Sequence, residues 1–469
     1  MYSKFTIENY RSFQAMQVLK FAIPDGVHNG SGITYIVGEN NSGKTTLIEG
    51  MKITEKMRIS DFDKRKSGVP KFAWYDNGNE VDPVRTTTLI SAHSSQLVTT
   101  PQSQAADKFD IIPSRRQWSE VAGHSNGLEP QFYYSQTRSS TTNIRQTSTD
   151  SNLASLLLKI ERDTTQKKEF VLQLRRVVPN FTDYAVGYDT SDYIKYVTGD
   201  GTEHRINFTG DGMLSIMRII AHCAISETGT VSLPLIIDEP ELSLHPLAQK
   251  RLMKVLAEHS RNRQIIISTH SPYFISWGLV ENGAVINKVV KEQDRESKIY
   301  TLKDYSHYST LVSAANWQQP YLMDVVAKEI FFHDNFLFTE GQEDVGLLMS
   351  DGQLDESINL FGYGVRGKDM FKFALRLAKD LGIRKAAVVL DGGESEAKIK
   401  EELEREFVGY SVVQWNKEDI RDKAKISSSQ KNGYFTIHGV KKNSEEIEDF
   451  DEKIGILNRY FRIDEDLAV

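Results

Sequence analysis

The chain has 469 residues, 39% of them hydrophobic, with 57 Lys and Arg against 64 Asp and Glu for a net charge of -7. That length exceeds what one core usually organises, so two domains are expected; the acidic balance excludes a surface that grips nucleic acid throughout, while leaving room for a local basic groove. A single cysteine, Cys223, excludes an internal disulfide and suits a reducing compartment, and no apolar run reaches the ~20 residues that span a bilayer, so the chain reads as soluble and cytoplasmic with no membrane partner.

In chain order, Phe5–Phe13 alternates as a half-buried strand does, and a polar turn and a second strand at Phe21–Ile23 complete a hairpin whose aromatic residues read as core. The apolar run Ile33–Val37 follows, then Gly38-Glu39-Asn40-Asn41-Ser42-Gly43-Lys44-Thr45, then a helix opening at Thr46. The eight-residue stretch fits G-x-x-x-x-G-K-[ST] without exception, in the strand, loop and helix setting that the motif requires. Such a loop holds a nucleoside triphosphate. Backbone amides from Gly38, Asn40, Asn41, Ser42, Gly43 and Thr46 surround the phosphates, Lys44 reaches the β- and γ-phosphates, and the Thr45 hydroxyl ligates Mg²⁺. ATP and Mg²⁺ are therefore the expected ligands.

Beyond that helix the pattern weakens. Ser91–Gln104 and Ser135–Ser151 are rich in Ser, Thr and Gln, with Thr137–Thr142 the clearest run, and both read as loops or mobile insertions. Between them, Ile111-Ile112-Pro113-Ser114-Arg115-Arg116 is a strand end followed by two arginines, either a solvated turn or a phosphate contact. Helices are expected over Asn152–Ile160, capped by Asp150 or Ser151, and over Lys167–Val178, ending at Pro179; strands follow at Tyr184–Val186 and Tyr193–Val197. Gly210-Asp211-Gly212 then opens an apolar helix. Its N-terminus is an anion site by geometry, and a Gly-rich helix cap is the plainer reading.

Leu233–Ile237 is an apolar strand ending in Asp238-Glu239. There Asp238 suits the Mg²⁺ shell, and Glu239 suits orienting and deprotonating an attacking water. A helix over Leu247–Arg261 and a buried strand at Gln264–Ile267 lead to His270, placed to meet a γ-phosphate.

These segments together resemble the ABC-type ATPase head of structural-maintenance and recombination ATPases, and within it the OLD-like branch. The resemblance runs to about Trp277. It implies that Lys44 and Thr45 are the phosphate loop, Asp238 and Glu239 the Walker B pair, Ser243–Pro246 the D-loop region, and His270 the switch histidine. It also implies homo-oligomers in which Gly210, Asp211 and Gly212 of one head complete the pocket of another, although the usual serine is absent there and Thr209 stands nearby.

Gly283–Ala327 reads as a connector with strand-like and helical pieces and little chemistry. A strand ending at Glu340-Gly341, a helix with Val345, Leu347, Leu348 and Met349, a helix over Asp369–Leu381 and a strand over Lys385–Leu390 ending in Asp391 then describe a small α/β domain with acids at one sheet edge. The acidic run Ser444–Asp449 reads as a solvated face. This part resembles a Toprim domain, which implies Glu340 as acid or base, Asp344 nearby and a metal-binding D-x-D pair. The chain has Asp391-Gly392-Gly393 and lacks the second aspartate. Residues two apart share a side of a strand, so Glu394, three away, does not replace it, and the site at Glu340, Asp344 and Asp391 is expected to be vestigial.

The expected class is therefore α/β, with an ABC-type ATPase domain over residues 1 to about 320, a helical, loop-rich insertion from about 58 to 205, and a Toprim-like domain over 328–469. An OLD-like ATPase joined to a shortened Toprim is similar to the ATPases of PARIS antiphage systems. That similarity implies oligomers formed through the heads and the C-terminal domain, a partner toxin nuclease held inactive, and a phage-encoded trigger protein. Two alternatives stay open: an OLD-type endonuclease acting on DNA through Glu340, Asp344, Asp391 and Glu394, and a DNA-repair ATPase.

Overall fold

The computed structural model describes residues 1–52, 68–78, 81–89, 97–100, 109–114, 153–188, 192–206, 211–226, 233–292, 295–302, 327–423 and 431–462. Two compact units divide the chain, Met1–Ile299 and Tyr300–Val469. The first opens with β1 (Tyr2–Glu8), β2 (Gln17–Lys20), β3 (Ile33–Val37) and α1 (Lys44–Lys52). Four short strands follow: β4 (Lys71–Asp76), β5 (Arg85–Leu89), β6 (Leu97–Thr100) and β7 (Asp110–Ile112). Next come α2 (Leu153–Glu161), α3 (Thr164–Val177), β8 (Phe181–Tyr188), β9 (Asp192–Thr198), β10 (Glu203–Arg205) and α4 (Asp211–Ser226). Then come β11 (Leu235–Asp238), α5 (Pro246–His259), β12 (Ile265–Ser268), α6 (Trp277–Glu281), β13 (Val285–Lys291) and β14 (Ser297–Thr301), within which the unit ends at Ile299.

The central sheet has the order β14-β13-β3-β12-β11-β7, and its pairs from β13 to β7 are parallel. Continuous burial of β3, β11 and β12 explains why they read as apolar runs without alternation, since both faces of a parallel sheet are covered. Because β3, β12 and β11 are neighbours running the same way, their C-terminal ends carry the glycine-rich loop, the His270 turn and Asp238-Glu239 to one edge. This is where open α/β sheets place ligands.

An antiparallel sheet, β2-β1-β4-β5-β6, lies against α1. Phe5, Ile7, Tyr10, Phe13, Phe72 and Trp74 form its core with Leu47, Ile48 and Met51, each large side chain contributing about 1.5–3 kcal/mol by burial. Gly50 lets α1 sit close, for a Cβ there would meet Ile7 Cδ1 at 3.0 Å. A third sheet, β10-β9-β8, accompanies α2 and α3. Asp163 caps α3, accepting from the amides of Thr165 and Gln166.

Several expectations need correcting here. The second hairpin strand is Gln17–Lys20 and not Phe21–Ile23; Phe21 donates its amide to Ser3 O, but Ala22 already turns its own to Thr34 Oγ1, leaving the ladder. Part of the Ser91–Gln104 stretch is strand β6, where Thr86–Thr88 of β5 pair with Val98–Thr100, β-branched residues that fit a pleated surface. The supposed helical insertion thus begins with strands that extend the N-terminal sheet. One strand-like piece of the Gly283–Ala327 connector, β13, is more than a link, for it lies directly beside β3 in the central sheet. Arg115, Arg116, Thr137–Thr142, Thr209 and Gly210 lie outside the described residues.

The second unit holds a parallel sheet, β16-β15-β17-β18, from β15 (Asn335–Phe338), β16 (Asn359–Leu360), β17 (Lys385–Leu390) and β18 (Ser411–Gln414). Its helices are α7 (Gln342–Asp351), α8 (Phe371–Asp380), α9 (Glu394–Glu406) and α10 (Ser444–Arg462). The acidic run Ser444–Asp449 is the start of α10, not simply a solvated face. Ile447 and Phe450 project from it into a core with Trp415, Tyr434 and Phe435. Among the described residues no helix is long and apolar enough to cross a membrane.

Candidate functional site

The loop after β3 takes a path that only its glycines permit. Gly38 has φ 138°, and a Cβ there would fall 2.2 Å from Val289 O of β13; Gly43 has φ 117°, and its Cβ would meet Ser297 Oγ at 2.8 Å. Asn41, at φ 64°, is a non-glycine residue in the left-handed region. Ser297 and Val289 therefore back the loop, two residues that sequence spacing could not single out at more than 250 positions' remove from it in the case of Ser297, whose hydroxyl donates to Ser42 O with |i−j| of 255. Asn40 and Thr45 are exposed, Thr46 is half-buried, and Ser42 is buried with no hydrogen-bond partner for its hydroxyl among the described residues.

Lys44 is a buried cation at this edge. Its Nζ donates to Gly38 O at 3.0 Å and to Glu39 O at 2.7 Å. Burial draws its pKa down to about 8, while the negative charges of Glu239, Asp238 and Glu241 pull the other way. Asp238 is buried at the end of β11, and Glu239 follows at φ 47°, its amide donating to Ser268 O at 2.8 Å. The imidazole of His270 stands with Nε2 3.8 Å from Glu239 Oε1. Burial, and then the charge of Lys44, take the His270 pKa down to about 4, so this is a polar contact of a neutral ring and not an ion pair. Lys44, Asp238, Glu239 and His270 are thus brought to one place from three adjacent strands.

Glu241 escaped the sequence reading. Its carboxylate accepts from the His270 amide at 2.6 Å and from Thr269 Oγ1 at 2.9 Å. Burial raises its pKa, against those bonds. Gln249 adds a parallel link, donating to Leu244 O and accepting from Ser271 Oγ. On the other side of the same turn, Gly212 of α4 approaches so closely that a Cβ would lie 2.5 Å from Ser243 O. The structure thus places Asp211 and Gly212 at the start of α4, with Gly212 beside the Ser243 turn. Further along, α4 is tied to the sheet by Arg263, whose guanidinium donates to Leu233 O, His222 O and Asp110 Oδ2. Burial would raise the Asp110 pKa, but His222 at 2.7 Å and Arg263 bring it below the usual value.

The donor set of the first unit suits a magnesium triphosphate: an amide-lined loop whose shape a Cβ would destroy, a buried lysine, an exposed threonine hydroxyl and a buried aspartate. The acids of the second unit suit a divalent cation less well. Glu340 follows β15, Asp391 follows β17, and Asp344 accepts from the Gly341 amide at 2.8 Å, as a helix cap does. Asp419 joins them, an acid the sequence reading passed over. Burial raises the pKa of Glu340, raises that of Asp344 to about 6 and that of Asp391 to about 8, with Asp419 and the cluster's own members adding to each. Gly393 stands two residues after Asp391, and a Cβ built there would lie 2.4 Å from Glu396 Oε2. The space of a side chain at 393 is therefore filled by Glu396, itself bound to Lys368 Nζ at 2.6 Å. Lys423 and Lys431 reach Asp419 at 2.6 and 3.4 Å. Among the described residues no group of three His, Cys, Asp or Glu side chains is disposed to hold a metal ion.

Residues 4–182 match a family model described as "AAA domain", and residues 106–276 match one described as "AAA domain, putative AbiEii toxin, Type IV TA system". Among solved structures, the chain is similar to an Smc head bound to the C-terminal winged-helix domain of ScpA, with 15% identity, 66% of this chain and 99% of that chain covered, and a TM-score of 0.45. It is also similar to the SMC head domain of Thermotoga maritima, with 14% identity, coverage of 65% and 100%, and a TM-score of 0.39. A Pyrococcus furiosus Smc head with an extended coiled coil, bound to the C-terminal domain of ScpA, gives 13% identity, coverage of 66% and 98%, and a TM-score of 0.45.

Proposed function

We propose that this chain, an ATPase of the AAA/ABC type, is the nucleotide-gated sensor and scaffold of an antiphage defence system, of the AriA kind found in PARIS. The convergence of Lys44, Asp238, Glu239 and His270 at one sheet edge carries the enzymatic part of this reading. ATP is the substrate. Loop amides of Gly38–Thr45 hold its α- and β-phosphates, and Lys44 turns from the Gly38 and Glu39 carbonyls to the β- and γ-phosphates. Thr45 and Asp238 would hold Mg²⁺, which would supply neutralisation of phosphate charge. Water attacks the γ-phosphorus, the bond to the ADP oxygen breaks, and Glu239 takes the water's proton. The neutral His270 ring faces the γ-phosphate, and its depressed pKa keeps it uncharged at neutral pH.

Variants at two positions test this. Glu239→Gln should bind ATP as wild type does and hydrolyse it at least about a hundredfold more slowly, since the phosphate cradle survives and the base does not. Lys44→Ala should lose both binding and turnover. Wild-type rates in either variant would defeat the assignment.

The sensor role rests on the resemblance to defence ATPases, and on the second unit's acids, which among the described residues form no group of three disposed to hold a metal ion and so support docking over phosphodiester cleavage. One matching family model is itself described by a toxin–antitoxin system. In this reading ATP-bound heads assemble through Gly210-Asp211-Gly212 of a neighbouring copy and hold a toxin nuclease until a phage protein releases it. Domain limits of 1–320 and 328–469 remain part of the proposal. The rival reading, an OLD-type endonuclease using Glu340, Asp344 and Asp391, predicts nicking of supercoiled plasmid with Mn²⁺ that disappears in Asp391→Ala. Nicking of that kind by the purified protein would displace the scaffold reading.

A further inference from the structure

The two strand ends that meet the γ-phosphate in this reading are not joined by the backbone ladder beyond Ser268, where β11 and β12 have both ended. Something must set the distance between the turn after Asp238 and the turn that carries His270. Glu241 does so with both carboxylate oxygens: Oε1 accepts the His270 amide at 2.6 Å and Oε2 accepts Thr269 Oγ1 at 2.9 Å. Thr269 Oγ1 in turn accepts from the Ser271 amide at 3.0 Å, so one carboxylate organises three consecutive residues. Charge-assisted bonds of this kind are short and about twice as strong as neutral ones.

The Glu241 turn is itself held. Leu244 N donates to Glu241 O at 2.9 Å, and Gln249 of α5 clamps Leu244 O at 2.8 Å while receiving Ser271 Oγ. Its far side bears on Gly212, the second residue of α4. A carboxylate in this position costs desolvation, seen in its raised pKa, which an apolar or hydroxyl side chain would not incur.

We infer that Glu241 is a positioning residue for ATP hydrolysis, fixing the His270 turn against the Asp238-Glu239 turn and transmitting displacement of the α4 N-terminus to His270. This rests on the nucleotide reading above. Its failure can be told apart from the failure of that reading, because wild-type turnover abolished by Lys44→Ala is measured in the same series.

The experiment is a double-mutant cycle of Glu241→Ala and His270→Ala, reading kcat, KM for ATP and melting temperature. Glu241→Ala should lower kcat about ten- to a hundredfold, as small misplacements of reacting groups do, with KM within about threefold of wild type. Glu241→Gln keeps one acceptor for the His270 amide and should recover most of the lost kcat. The double variant should fall no more than about twofold below His270→Ala, because both changes spoil the same contact. Multiplying effects, or a folded Glu241→Ala protein with wild-type kcat, would overturn the inference. A merely structural carboxylate would lower the melting temperature and leave kcat per folded molecule unchanged, which also overturns it. Absence of any Lys44-dependent turnover in wild type would remove the reading and this inference together.

Discussion

At Lys44 and Asp391 burial is the largest cause of a displaced pKa, opposed by nearby acids at Lys44 and reinforced by them at Asp391. With a pKa near 8, Lys44 in the free protein loses its charge as pH rises through that value. Its attraction for phosphate then goes, so kcat/KM for ATP should fall above about pH 8, while kcat changes less because bound phosphates restore the proton. Initial rates from pH 6 to 10 check this; a flat kcat/KM contradicts it. At Asp391 the sign is reversed. Its folded pKa of about 8 lies above the ordinary value of 3.8, so the stability tied to its proton is full below about pH 4 and lost as pH rises through about 8. Asp391→Asn, permanently neutral, should therefore raise the melting temperature by about 2 °C or more near pH 8.5 and by much less near pH 4.5. Legibility at this scale follows sequence distance. Lys44, Asp238 and Glu239 sit in short motifs whose spacing is their chemistry. Glu241 acts on residues 28 and 29 positions away, and Glu396 fills the place of a side chain that Gly393 lacks; neither has a local pattern.

Among the elements, α4 is the one whose position the strands alone do not determine. It is pinned at one end by Gly212 against Ser243 and deeper in by Arg263 and Asp110. Gly212→Ala should push the helix from the Ser243 turn and reduce ATP turnover more than stability, measured by paired kinetic and thermal assays. Arg263→Met should cost about 1–3 kcal/mol in urea unfolding, because the Leu233 and His222 carbonyls lose their donor while half-buried Asp110 keeps only His222. A loss under 1 kcal/mol would contradict the account. The helices and apolar strands were readable because a 3.6-residue period or an unbroken apolar run marks them. By contrast β4, β5 and β6 are short, β4 meets β1 from far along the chain, β5 and β6 are rich in threonine with no apolar run, and β13 reads as a strand with nothing local to say that it enters beside β3.

For the molecule as a whole, the proposal makes assembly conditional on nucleotide. Glu239→Gln with Mg-ATP should give a heavier species by light scattering than Lys44→Ala under the same conditions, and copurification with the product of an adjacent gene should show whether a nuclease rides on it. Equal masses would argue against nucleotide-gated assembly. One architectural detail also governs how the motor can be isolated. Since Thr34–Val37 of β3 pair with Val285–Lys288, and Ser297 sits behind the glycine-rich loop, a fragment cut at Trp277 would leave the middle of the sheet with a naked flank. Such a truncation should aggregate and release its nucleotide, whereas one carried through Ile299 keeps the neighbouring strand that Gly38 was shaped to meet.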